Sequence, residues 1–167
     1  MIRVRQGWYA ASDATPAVVQ AVRVGGSLTS LSATSLTSIW TPPDEQLHVA
    51  VARNASRLRS PHSSTRPLAR QRDRVCIHPL EQAGVIYEPV QSTARALAHA
   101  AQCQTEEMAL TVIDSALNLG LVTEPELRAQ FEGLPRRCRR LLEKVERRSR
   151  QPQLALVGGP VPRGPPP

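Results

Sequence analysis

From Ala94 to Val145 the apolar residues of this chain return repeatedly at the spacing of one helix face. Ala94, Leu97, Ala98 and Ala101 stand at i, i+3, i+4 and i+7, which puts them on one side of a helix. Ala109, Val112, Ile113, Ala116 and Leu117 repeat the pattern. Glu106 and Glu107 fall in the first turn of that second helix, where the helix dipole favours acidic groups, and Gly120 is placed to cap its end. Thr123-Glu-Pro-Glu126 reads as a capping box opening a third helix, faced by Leu127 and Phe131 and ended by Gly133. Pro135 opens a fourth, faced by Cys138, Leu141, Leu142 and Val145. Alanine-rich faces let such helices approach closely. With five aromatic residues in 167, the core they enclose must be aliphatic.

The first half reads differently. Met1 to Tyr9 alternates apolar and basic residues, the period of a strand with one buried face. Val4 is expected on one side and Arg3 and Arg5 on the other, with Gly7 letting the chain bend before Trp8 and Tyr9. So short a lead implies that the strand joins a sheet formed much later, or that something preceding it is missing. Thr15-Pro16 predicts an N-cap and first helical residue, with Val18, Val19 and Val22 as the buried stripe and Gly25-Gly26 as the stop. A second short helix is expected from near Ser32, faced by Leu36, Ile39 and Trp40 and ended by Pro42-Pro43. Leu47, Val49 and Val51 alternate with His48 and Ala50, a strand signal. The Arg-, Ser- and Pro-rich stretch that follows has no apolar period and reads as a loop. Val75 to His78 is a short strand, and Val85 to Tyr87 another. After Gln151 six prolines and three glycines predict a disordered tail. The fold class is therefore α+β and helix-rich: a wing-like strand over 1–12, a mixed α+β region over 13–150 with about four amphipathic helices, and a tail over 151–167.

Several stretches resemble a known family. "IRVRQGWYA" is similar to the wing strand that closes a winged helix-turn-helix in actinobacterial AbiE-type antitoxin-like proteins, of type IV toxin–antitoxin and phage-defence systems. "AVRVGGSLTSLSATSLTSIWTPPDEQLHVAVARNASRLRS", "ALAHAAQC" and "MALTVIDSALNLGLVTEPELRAQFEGLPRRCRRLLEKV" follow in the family's order, covering roughly residues 1 to 148. Some of these proteins carry a C-terminal nuclease domain resembling very-short-patch-repair endonucleases. The helices expected before the wing are absent here, and "SRQPQLALVGGPVPRGPPP" stands where the nuclease often follows. The resemblance implies a non-catalytic regulatory or interaction domain, of a truncated gene product, whose partners are DNA or a cognate toxin. The alternative is a remnant of an endonuclease whose catalytic domain is missing.

Charge is unevenly distributed along the chain. Arg53 to Arg74 holds seven arginines against one aspartate; Glu81 to Glu132 holds eight acidic residues against two arginines. Arg136 to Arg150 holds eight basic residues against two glutamates. Two basic segments bracketing an acidic one imply either internal neutralisation or a phosphate-binding surface. Arg3, Arg5, Arg53, Arg57 and Arg59 are the candidate DNA contacts; without a recognition helix their binding is expected to be weak, non-specific and salt-sensitive. No apolar run is long enough to span a membrane and no signal peptide is present, so no membrane partner is expected. Cys76, Cys103 and Cys138 are odd in number and widely spaced, which argues against a disulfide framework and for a reducing cytoplasm.

Catalytic residues are not expected. A nuclease of the implied kind needs an acid-x-lysine pair on a strand to hold a hard cation, and the single lysine, Lys144, directly follows Glu143 in a helical pattern. Asp114, within "TVIDSAL", is expected to bond a loop amide or an arginine. His99 and Cys103, at i and i+4, form half of a metal site. Cys76 and His78 share one side of a strand. Nothing in the spacing joins the two pairs, so neither metal nor cofactor is expected.

Overall fold

The computed structural model describes residues 1–81, 83 and 86–150. Val85 and residues 151–167, expected as part of a strand and as a tail, lie outside the described residues, and Ile86 and Tyr87, the rest of that expected strand, form none. Among these residues the chain forms seven strands and six helices, an α+β fold.

Strand β1 (Ile2–Arg5) pairs antiparallel with β2 (Trp8–Ala10) across Gly7, whose φ of 80° suits only glycine. The wing-like strand thus does not join a late sheet: its partner is the segment that follows it. The turn does what a distant strand was expected to do. Val4 is buried, and Arg5 reaches the Val24 carbonyl at the end of α1 (Pro16–Val24). The buried positions of α1 are Ala21, Val22 and Val24, while Val18 and Val19 are half-buried. The fully buried positions thus lie toward the C-terminal end of a helix that packs on β1, β3 and β4.

Helix α2 (Ser30–Thr34) has only five residues, begins earlier than expected, and leaves Leu36 and Trp40 exposed. Three serine and threonine hydroxyls in this segment bond carbonyls three residues back, offering the backbone an alternative to a longer helix. The Arg-rich stretch is also not a loop throughout. Strands β5 (Arg59–Ser60) and β6 (Ser63–Pro67) form a hairpin held by polar groups, with Arg66 and Ser60 both bonded to Asp73. Hydrophobic period was the wrong signal for strands that bury almost nothing.

The central sheet runs β3-β4-β7: β3 (Ser27–Leu28) antiparallel to β4 (Leu47–Val51), and β4 parallel to β7 (Val75–Pro79). Val49, Val51 and Val75 pack with Ala21 and Val24 of α1 on one face. The opposite face meets α3 (Thr93–Cys103). Beyond it, α4 (Glu106–Asn118), α5 (Glu124–Phe131) and α6 (Arg136–Arg150) complete the helical layer. The Thr123–Glu126 capping box forms as expected. Leu97, Ile113, Leu127, Phe131, Cys138, Leu141 and Val145 meet in one aliphatic core. Arg148 pairs with Asp114 at 2.9 Å, Lys144 with Glu106 and Arg128 with Glu146. The acidic and basic segments therefore neutralise one another in part, and Asp114 has the arginine partner expected of it.

Candidate metal centre

A parallel strand pair in register sets paired residues side by side on one face. In β4 and β7, His48 pairs with Cys76 and Ala50 with His78. Period-2 alternation then sends the valines to α1 and His48, Cys76 and His78 toward α3. On α3, His99 and Cys103 are four residues apart and share the face that meets the sheet. The two pairs that spacing alone left separate are brought together by the fold, and His48 joins them.

His48 Nδ1 lies 3.0 Å from His78 Nε2 and 3.8 Å from Cys103 Sγ. The three donor atoms lie within 4.8 Å of one another. Tetrahedral zinc, with nitrogen at about 2.0–2.1 Å and sulfur at about 2.3 Å, sets two nitrogens about 3.3 Å apart and nitrogen and sulfur about 3.6 Å apart. The side chains already stand near that spacing.

The surroundings fix each ring. Asp44 Oδ2 accepts from His48 Nε2 at 3.0 Å, so the Nδ1 edge of His48 faces its neighbours. A carboxylate behind a ligating imidazole orients the ring and raises its basicity. His78 stacks on His99, with ring centroids 4.8 Å apart and planes 21° apart. The Thr29 hydroxyl bonds His99 Nδ1 at 2.8 Å. Ser30, with φ 49°, occupies a left-handed conformation that costs a non-glycine residue on the order of 1 kcal/mol. Its hydroxyl lies 3.4 Å from Cys103 Sγ. His48, His78 and His99 are buried, whereas Cys103 is exposed at the end of α3, which gives the cluster an opening.

Electrostatics divide the groups by role. Burial pushes His48 down, but hydrogen bonds to Cys103 and Asp44 outweigh it and its affinity for a proton is raised. Burial, with the charges of His78 and Arg95, pushes His99 down to about 3, so it stays neutral. Cys103 is held well below the usual thiol range, first by its hydrogen bond with Cys76 and then by those to His48, His78 and Ser30. Cys76 is raised by the same sulfur–sulfur hydrogen bond and by burial. Two imidazole nitrogens and a thiol held toward its thiolate form are the donor set of a borderline-soft cation.

The candidate DNA contacts lie elsewhere: Arg3 and Arg5 on β1, Arg59 on β5, and Arg53 and Arg57 in the connection between β4 and β5. Arg3, Arg53 and Arg57 are exposed. Arg5 is committed to the Val24 carbonyl and Arg59 to the Thr65 carbonyl. Lys144 lies on α6 beside Glu106. A hollow of about 590 Å³ between α5 and α6 is lined by Phe131, Leu142 and ion-paired Arg128 and Glu146, and lies apart from the histidines. His48 carried no signal in the sequence beyond being the polar half of an alternating strand. No helix of the described residues is long and apolar enough to cross a membrane. Compared with family models, with curated proteins and with solved structures, the chain matches none.

Proposed function

We propose that this chain is a non-catalytic regulatory or interaction domain in which a zinc-class divalent cation clasps the sheet to α3. His48, His78 and Cys103 are its ligands. The observation that carries the reading is the convergence of two imidazole nitrogens and one sulfur within 4.8 Å. Thiolate and imidazole together select zinc over magnesium or calcium, which take oxygen ligands. The ligands come from two strands and one helix, so binding the ion adds to folding stability. This suits the resemblance to AbiE-type regulators, in which such a domain would bind a toxin partner, and DNA weakly through Arg3, Arg53 and Arg57. Three free cysteines suit a reducing cytoplasm.

Titration of the reduced full chain with Co²⁺, then Zn²⁺, tests this. One equivalent should bind with tetrahedral cobalt absorption and a thiolate charge-transfer band. His78→Ala and Cys103→Ser should abolish that band, and Asp44→Ala should weaken affinity about 10–100-fold. A parent chain that binds no metal, or binds it equally after His78→Ala, overturns the proposal.

A second reading rests on the same distances. Cys103, His48 and Asp44 stand in the order nucleophile, base and orienting acid. The metal reading fits better because His48 Nδ1 is already shared with His78, leaving no base free to serve a substrate. Turnover of an ester or amide, lost on Cys103→Ser and indifferent to chelators, would favour the second reading.

A further inference from the structure

Strand β7 ends at Pro79, and the residues leaving it border a cavity of about 360 Å³ between α3 and the turn joining α5 to α6. Crevices off the carboxyl ends of parallel strands are recurrent ligand sites, and small-molecule pockets have volumes of about 300–1,000 Å³. Three polar side chains give this one its chemistry. His99 is 7% exposed, and its Nδ1 is bonded to Thr29. Its Nε2 has no bond among the described residues, where no buried side-chain nitrogen lacks a partner, so Nε2 opens into the cavity that His99 lines. The Thr29 bond and the stacking on His78 hold the ring in place. Arg95 lines the same cavity and donates from Nε to Gln130 Oε1 at 3.1 Å. A neutral amide thus fixes the guanidinium plane and leaves its Nη1–Nη2 edge for a carboxylate. Glu81 Oε1 lies against Gly133, 3.5 Å from where a Cβ would stand. Gln130 and Gly133 are three residues apart where α5 ends, so the unlike charges are anchored about one helical turn apart. Arg95 and Glu81 are the charged groups of the lining, one of each sign.

We propose that this cavity is a binding site for a free α-amino acid. Such a solute carries a carboxylate and an ammonium on one carbon, and the lining offers one cation and one anion at separate places. The carboxylate takes the free edge of Arg95, joined by His99 Nε2 when Thr29 donates to Nδ1 and leaves the ring hydrogen on Nε2. The ammonium faces Glu81, and the amino acid's side chain lies along Leu80, Ala98 and Leu134. A carboxylate without the amine would meet Glu81 as a like charge, and an amine without the carboxylate would meet Arg95 as one. Neither Arg95 nor Glu81 is a ligand of the cation, so the site stands whether or not the sheet and α3 are clasped by zinc.

The test titrates the reduced, metal-free full chain calorimetrically with each of the common L-amino acids in turn. At least one should bind at one equivalent. Its analogues lacking the amine or lacking the carboxylate should bind at least about tenfold more weakly. Arg95→Gln and Glu81→Gln should each weaken binding at least about tenfold, whereas Arg139→Gln, on the separate hollow between α5 and α6, should bind as the parent does. Should Arg95→Gln fail to fold, Glu81→Gln, which alters an exposed side chain, decides. A chain that binds no amino acid at millimolar concentration, binding indifferent to Glu81→Gln, or equal binding of the acid lacking its amine overturns the proposal.

Discussion

Helix α3 has two sides, and they are stabilised by different physics. Toward α4, α5 and α6 it presents Ala94, Leu97, Ala98 and Ala101 to an aliphatic core. Toward the sheet it presents His99 and Cys103 to His48, His78 and Cys76. The first contact gains from removing apolar surface from water, which needs no particular partner atom. The second is a set of buried polar groups whose cost is met only when each has a partner, and no buried side-chain nitrogen or oxygen among the described residues lacks one. One interface is robust and unspecific, the other conditional on protons, oxidation state and a cation.

The comparison breaks most visibly at Phe131, which is 1% exposed at the centre of the helical core. Phe131→Ala should cost about 3–5 kcal/mol. Urea unfolding should show the same loss with and without zinc, because the residue serves the apolar side alone. A loss that shrinks when zinc is added would mean that the two sides are not separable. Next in size is the ion itself. At a free zinc concentration a hundredfold above its dissociation constant, the parent chain should gain about 2.7 kcal/mol. His78→Ala should gain almost none, as read from the zinc-dependent rise in melting temperature.

The smallest effect at neutral pH, and the one that sharpens the contrast, is proton linkage in the metal-free chain. His99, held down to about 3 in the folded state, binds a proton in the unfolded chain from about pH 6.5 downward. Its contribution is present above pH 6.5 and is lost as pH falls toward 3. His48, raised, has the opposite sign: its contribution is present below 6.5 and is lost as pH rises through its folded value. Stability of the metal-free chain should therefore peak near pH 6.5, falling on the acid side through His99 and on the alkaline side, up to the folded value of His48, through His48. His99→Gln should flatten the acid limb and leave the alkaline one. An unchanged acid limb in that variant would show that His99 is not the group responsible.

The apolar side of α3 was legible in the sequence because its signals are local. Ala109 to Leu117, the Thr123–Glu126 box and the face ending at Val145 each state their structure within a dozen residues. An arginine was one of the two partners expected from the oddity of an acid inside "TVIDSAL", though which arginine was not legible. The polar side was legible only in halves. Cys76 with His78 and His99 with Cys103 each show on one element, but what unites them is the parallel register of β4 and β7, which no local pattern encodes. His48 was hidden by its alternation with valines, since a strand covered on both faces buries its polar residues too. The β5–β6 hairpin was missed because its strands are held by Asp73 and Arg66 rather than by apolar contact.

That parallel pairing also sets a sequence of events in time. His48 and His78 are 30 positions apart, and His48 and Cys103 are 55 apart, whereas the turns of α4, α5 and α6 need only near neighbours. Long closures cost chain entropy before their contacts repay it, so non-local strand pairing is the slower step. In refolding, helical signal should rise before Cys76 on β7 becomes shielded from a thiol reagent. For that interval Cys76 and Cys103 are ordinary free thiols on a half-formed chain, able to join the wrong partner. Reductant is therefore needed most during assembly, before the finished molecule can govern its own sulfur chemistry.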